Sequence, residues 1–277
     1  MKIGTFFDRI DLATDNGEVK CIQEAFDRLV PMGLSFVDVS SGVFGEKYEP
    51  VSLQKILKEN GVYAGSMFHL FPFDYKKENI IEASREDIEL QLERCAQLEC
   101  KLFMPVPRIM QNHKDAKERM HCREIVIQYF SEVSQCAKKY GITTIVENFS
   151  NVDCPFSTIE DFHYIFKQVP SLFYALDTGN FWFGGTDVLK AVPQFVNITE
   201  HVHLKDILPR EKNDIRKDGK KHDGVALGEG VIPLDEILNE LTQNGYDKTL
   251  TIEINHNEDL LNKIIRSVNF LKSRGVC

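Results

Sequence analysis

The chain has no apolar run approaching the ~20 residues that a membrane-spanning helix needs, and its start, MKIGTFFDRI, enters a strand pattern without the charged and apolar regions of a secretory leader. A cytoplasmic location and no membrane partner are therefore expected. CxxC pairs are also missing: the cysteines at 21, 95, 100, 122, 136, 154 and 277 have the spacing of neither a thiolate metal site nor a disulfide framework, which leaves small buried hydrophobes as their simplest role. Positive charge is scarce, with 33 Lys and Arg against 42 Asp and Glu and a net charge of −9. Such a surface repels polyanions, so nucleic acid is not an expected partner. No Gly-, Pro- or Ser-rich linker divides the 277 residues, which predicts a single domain over 1–277. No GxGxxG follows the first strand, which removes the main sign of a dinucleotide-binding sheet.

What the sequence does contain is a repeated grammar. Eight runs rich in β-formers, at 3–7, 36–40, 63–68, 101–106, 143–149, 173–178, 200–205 and 249–254, alternate with helix-favouring segments near 19–31, 51–60, 78–98, 113–140, 158–168, 186–194, 233–243 and 257–272. The fourth helix has the clearest signature: Cys122, Val126, Tyr129, Val133, Cys136 and Tyr140 recur at steps of four and three along one face, and Gly141 supplies the stop. Gly33, Gly61 and Gly245 hold the same place before the second, third and eighth strand runs. Eight strands and eight helices in this order predict an α/β fold, a closed (β/α)8 TIM barrel. The most polar stretch, ILPREKNDIRKDGKKHDG, follows the seventh strand and, with the LGEG that comes after it, predicts a lid loop over 207–232 at the mouth.

Four strands of the second half each carry one acidic or imidazole side chain near the carboxyl end: Glu147 in ITTIVENF, Asp177 in FYALDTGN, His203 in ITEHVHLKD and Glu253 in TLTIEIN. A buried charge is expensive unless compensated, and in a barrel the carboxyl ends of strands converge on one mouth, so the four predict a shared divalent cation. Three carboxylates and one imidazole make a mostly oxygen site that suits Mn²⁺ first, with Mg²⁺, Co²⁺ or Zn²⁺ as alternatives.

The series VENF, ALDTGNF, HVHLKD, LGEG and TIEIN, in this order, resembles the sugar phosphate isomerase/epimerase family, which shares the xylose isomerase-like barrel with ketose 3-epimerases and inosose dehydratases. The resemblance covers most of the chain and is specific from about Glu147 onward. It implies that Glu147, Asp177, His203 and Glu253 ligate the metal and that Glu147 and Glu253 are also the acid/base pair, on opposite faces of the substrate. Many epimerases have histidine three residues after the aspartate ligand; Asn180 stands there in this chain, which keeps a hydrogen-bonding group and removes a titratable one. It also implies a small sugar or keto-polyol substrate and a homo-oligomer.

A chemistry follows from these parts: the cation stabilises the enediolate charge that develops beside a carbonyl, one glutamate removes the proton and the other returns it. A dehydratase acting on a keto-cyclitol shares the first step and then needs an acid for the departing hydroxyl. Lys205, on the His203 side of its strand, and His69, ending the third strand, are the candidates. Asp153, Asn180, Trp182 and Arg210 complete the expected substrate-binding set, Trp182 as a stacking wall and Arg210 as the basic group nearest the ligand strand.

Overall fold

The computed structural model of the chain describes residues 1–45, 47–77, 79–109, 115–151, 153–209, 222–255 and 258–276. Its strands, in chain order, are β1 (Lys2–Phe6), β2 (Leu34–Ser40), β3 (Tyr63–Phe73), β4 (Leu102–Ile109), β5 (Thr143–Glu147), β6 (Phe173–Asp177), β7 (Thr199–Leu204), β8 (Asp206–Pro209), β9 (His222–Val225) and β10 (Thr249–Ile252). The helices are α1 (Phe7–Asp15), α2 (Ile22–Leu29), α3 (Pro50–Glu59), α4 (Ile80–Ala83), α5 (Arg85–Gln97), α6 (Ala116–Lys139), α7 (Ile159–Gln168), α8 (Thr178–Phe183), α9 (Val188–Phe195), α10 (Leu234–Gln243) and α11 (Leu260–Ser273).

Eight of the strands close into a barrel in the order β1-β10-β7-β6-β5-β4-β3-β2, every neighbour parallel. Each connection is a helix that covers the outer face, as a parallel sheet buried on both sides requires. The long helix α6 shows why the sequence folds this way. Cys122, Val126, Tyr129, Val133 and Cys136 are buried along one face, Tyr140 is half-buried at its end, and Asp115 caps its start by accepting from the backbone N–H of Lys117 and Glu118 at 2.9 Å. Gly141 then adopts φ +64°, a left-handed conformation that halts the helix and that a side chain would strain.

Four elements depart from the sequence reading. Helix α1 begins directly after β1 without a side-chain cap, so it carries no start signal. Helix α8 occupies residues expected to be loop, because Asp177 caps it through the N–H of Asn180. Within the predicted lid over 207–232, β8 and β9 pair as an antiparallel ribbon, and residues 210–221 lie outside the described residues.

The main apolar core lies between barrel and helices. Inside the barrel the filling is divided: Met104, Ile145 and Ala175 make an apolar cluster on the β4–β6 side, and the β2, β7 and β10 side carries the polar groups Asp38, His201 and Thr251, all fully buried.

Candidate active site at the carboxyl mouth of the barrel

Glu147 and Asp177 are the last residues of β5 and β6, His203 is the penultimate residue of β7, and Glu253 follows β10, its N–H donating to Leu204 O at 3.0 Å. Strand register sets Asp177 beside His203 and Thr251 beside His203, so the parallel ladders alone bring the four positions to one rim. His203 Nδ1 is 2.5 Å from Glu147 Oε1, 3.5 Å from Glu253 Oε2 and 4.0 Å from Asp177 Oδ2. One donor atom from each of the four lies within 4.8 Å of the others.

Burial differs across the quartet in a useful way. Asp177 and His203 are closed off from solvent, while Glu147 and Glu253 keep side-chain exposures of 14% and 15%. Burial pushes the Asp177 carboxyl above the ordinary range, against the pull of Lys205. For His203 burial works the other way and is outweighed by Glu147, Asp38 and Glu253, which lift its pKa well above the usual value.

Two asparagines hold the rim in place. Asn148 Oδ1 accepts from Asp177 N–H and Tyr174 O–H, both at 2.9 Å, and its Nδ2 donates to Asp177 O at 2.9 Å. Asn180 Nδ2 donates to Asn148 O at 2.9 Å. The sequence reading missed Asn148, although the asparagine of VENF beside a ligand-type glutamate was the available signal.

A family model described as the xylose isomerase-like TIM barrel matches residues 19–274. The chain belongs to that family. Among curated relatives, the inosose dehydratase of Clostridium perfringens (strain 13 / Type A) is 27% identical over 115 residues, which cover 38% of this chain and 39% of the relative. The matched part is thus well under half the length of that protein. Among solved structures, the IolI protein with a bound zinc atom superposes with a TM-score of 0.78 at 16% identity, covering 100% of this chain and 97% of the other. The D-psicose 3-epimerase of Clostridium cellulolyticum H10, solved with D-tagatose, gives 0.74 at 16% identity, covering 100% of each. At these identities the structural likeness is one of fold.

In this xylose isomerase-like barrel a cavity of about 260 Å³ opens above the quartet, lined by Glu147, Asn180, His203, Lys205 and Glu253 on one side. The opposite arc is apolar: Phe6, Phe68, Leu70, Met104, Val106 and Phe149. Asp8 and Arg9, from the first turn of α1, also reach the cavity and were missed with that helix. Burial raises the Asp8 pKa against the opposing effect of Arg9.

Lys205 is buried, its Nζ 2.8 Å from Asp177 Oδ2 and 2.9 Å from Glu253 Oε1, and it donates to Asn180 Oδ1 at 3.1 Å. Burial would lower its pKa, but Asp177, Glu253 and Glu147 raise it above the usual lysine value, so the ammonium stays protonated. The glycine of ALDTG makes room for it: a Cβ at Gly179 would fall 2.6 Å from Lys205 Cβ.

Of the remaining expected substrate residues, the three that are described lie elsewhere. His69 sits between Phe68 and Leu70 on β3, so the strand's period of two turns it outward, where it hydrogen-bonds Ser41 Oγ and lies 3.2 Å from Asp87 Oδ2 of α5. Asp153 is exposed in a turn, its N–H donating to Asn151 Oδ1 at 3.0 Å. Trp182 is half-buried and edge-on to Phe183 at 5.6 Å, outside the cavity lining. Arg210 lies outside the described residues.

Proposed function

We propose that the chain is a divalent-cation-dependent isomerase or epimerase of a small polyhydroxy ketone, with Glu147, Asp177, His203 and Glu253 holding the cation and Glu147 and Glu253 moving the proton. The observation that carries this reading is the convergence of the four donors together with the state of Asp177 Oδ2. That oxygen is fully buried, and the Lys205 ammonium 2.8 Å away is its nearest positive neighbour. Three carboxylates packed this closely repel one another; Lys205 and His203 offset part of that charge, and the converging donor set fits a divalent ion. Its oxygen-rich character favours Mn²⁺, and zinc is the ion named for the IolI structure.

When bound, the cation supplies Lewis acidity that offsets charge developing on the carbonyl oxygen. The protein's own residues do the rest. Glu147 and Glu253 are the two members of the quartet that are partly open to the cavity, so each has an oxygen able to take or give a proton at a carbon held there. Lys205 and Asn180 face the same space and are suited to hold substrate oxygens.

A second reading, loss of water from a keto-cyclitol, is favoured by the sequence likeness to inosose dehydratases. Of the two acids it would call on, His69 faces the helix layer, which leaves the Lys205 ammonium in the cavity lining. Incubating the Mn²⁺-loaded protein with ketoses and keto-cyclitols in D₂O separates the readings. Deuterium entering at the carbon beside the carbonyl, with every oxygen retained, marks the isomerase. A new enone or diketone absorbance marks the dehydratase. Glu253→Gln is expected to slow exchange by about 10²–10⁴-fold, and a chelator to abolish it. Undiminished exchange in Glu253→Gln removes the acid/base assignment.

A further inference from the structure

We propose that Asp38 is a positioning residue that keeps the proton of His203 on Nε2, so that Nδ1 presents its lone pair to the cation. The inference rests on the cation reading above and concerns a residue on the other side of the imidazole from the quartet.

Asp38 lies on β2, fully buried in the polar half of the barrel interior. A carboxylate in such a place must have its lone pairs satisfied. Oδ1 accepts from the backbone N–H of Ser66 at 2.7 Å and from Ser66 Oγ at 2.8 Å; Oδ2 lies 2.8 Å from His201 Nε2 and accepts from Thr251 Oγ1 at 2.5 Å. With both oxygens held by donors from Ser66, His201 and Thr251, the Asp38 carboxylate is tied to β3, β7 and β10 at once.

The two nitrogens of His203 face different worlds. Nδ1 looks into the quartet. Nε2 is buried without a hydrogen bond, and 3.5 Å away stands Asp38 Oδ2. A neutral imidazole carries one proton and one lone pair, so a ring that ligates through Nδ1 must keep its proton on Nε2, in a region closed to water. Asp38 supplies the negative charge that stabilises it there, and histidine ligands commonly lean on such a partner through their second nitrogen. The cluster of Asp38, His201 and His203 is itself compact enough to hold a metal. Because Ser66, His201 and Thr251 already occupy the Asp38 oxygens, the geometry points to a support and not to a second ion.

The test uses the full chain with Zn²⁺ as the probe, since it is diamagnetic. In ¹⁵N-histidine-labelled, Zn²⁺-loaded protein, two-bond ¹H–¹⁵N correlation is expected to show His203 protonated on Nε2. Competition dialysis is expected to show Asp38→Asn weakening Zn²⁺ binding by about 10–100-fold. Thr251→Val, which removes a different donor to the same carboxylate, is expected to bind with near wild-type affinity. Wild-type affinity in Asp38→Asn, or a proton on Nδ1 in the loaded wild type, overturns the proposal; if Asp38→Asn does not fold, the wild-type tautomer alone decides. Failure of the wild type itself to take up Zn²⁺ stoichiometrically removes the cation reading as well, a result distinct from failure confined to the variant comparison.

Discussion

Lys205 stands with its ammonium between two carboxylates assigned to a divalent ion, Asp177 and Glu253. Without that ion it is the nearest positive charge that keeps them together. Lys205→Met is expected to destabilise the metal-free protein by about 3–5 kcal/mol, the usual result of stripping one partner from a buried ion pair. Thermal unfolding with and without Mn²⁺ checks this: the deficit should be largest in chelator and shrink when the ion is restored. An equal deficit in both conditions would separate Lys205 from the cation. The quartet could be read from the sequence because each charge interrupts an apolar strand at a matching position. His69 could not be oriented in the same way. Ala64–Met67 of β3 are buried on both faces, so the run YAGSMFHLF has no clean polar alternation to mark which residues point inward. Trp182 was misplaced for a related reason: the Asp177 carboxylate starts a helix, and the indole turns with it.

At the level of elements, the LKD and LGEG motifs explain each other. The Asp206 carboxylate is buried at the base of the β8–β9 ribbon and accepts from the backbone N–H groups of Ile207, Gly228, Gly230 and Ile232 at 2.9, 2.9, 2.8 and 3.2 Å. Gly230 leaves no space for a side chain against that carboxylate. Asp206→Ala strands several buried donors and is expected to cost about 3 kcal/mol, measured by urea unfolding. Amide exchange at Gly228, Gly230 and Ile232 should quicken ahead of the barrel strands. The sequence placed LGEG in the lid loop but gave no sign of what holds it, because the partner lies upstream at Asp206 and its role depends on a tertiary contact.

For the whole molecule, the alternation of strands and helices was legible because a parallel barrel repeats one local unit eight times, and each repeat states its own boundaries. The thiols test the integrity of the packed assembly. Cys21 is exposed, and burial pushes Cys122 and Cys154 up to about 12. At pH 8 these two are ionised to about one part in ten thousand, so alkylation mapped by mass spectrometry should mark Cys21 and spare both until the chain unfolds. The folded state holds their protons more tightly than the unfolded state. The stability this provides is complete below the free-thiol pKa of about 8.5 and is lost as the pH rises from there toward 12, with a limiting slope of about 2.7 kcal/mol per pH unit for the pair. A melting temperature that is flat between pH 7 and 8 and declines above 9 is the expected profile.

The cavity has two unlike parts, charged groups at the ends of β5, β7 and β10 and in α1, and apolar side chains from β1, β3 and β4 with Phe149. Met104 and Phe68 hang from β4 and β3, which carry none of the quartet, so they can change independently of it. Replacing Met104 or Phe68 reshapes the room available to a guest without disturbing the strands that carry the reactive groups. New guests can thus be tried on one side of the barrel while the chemistry on the other is inherited intact.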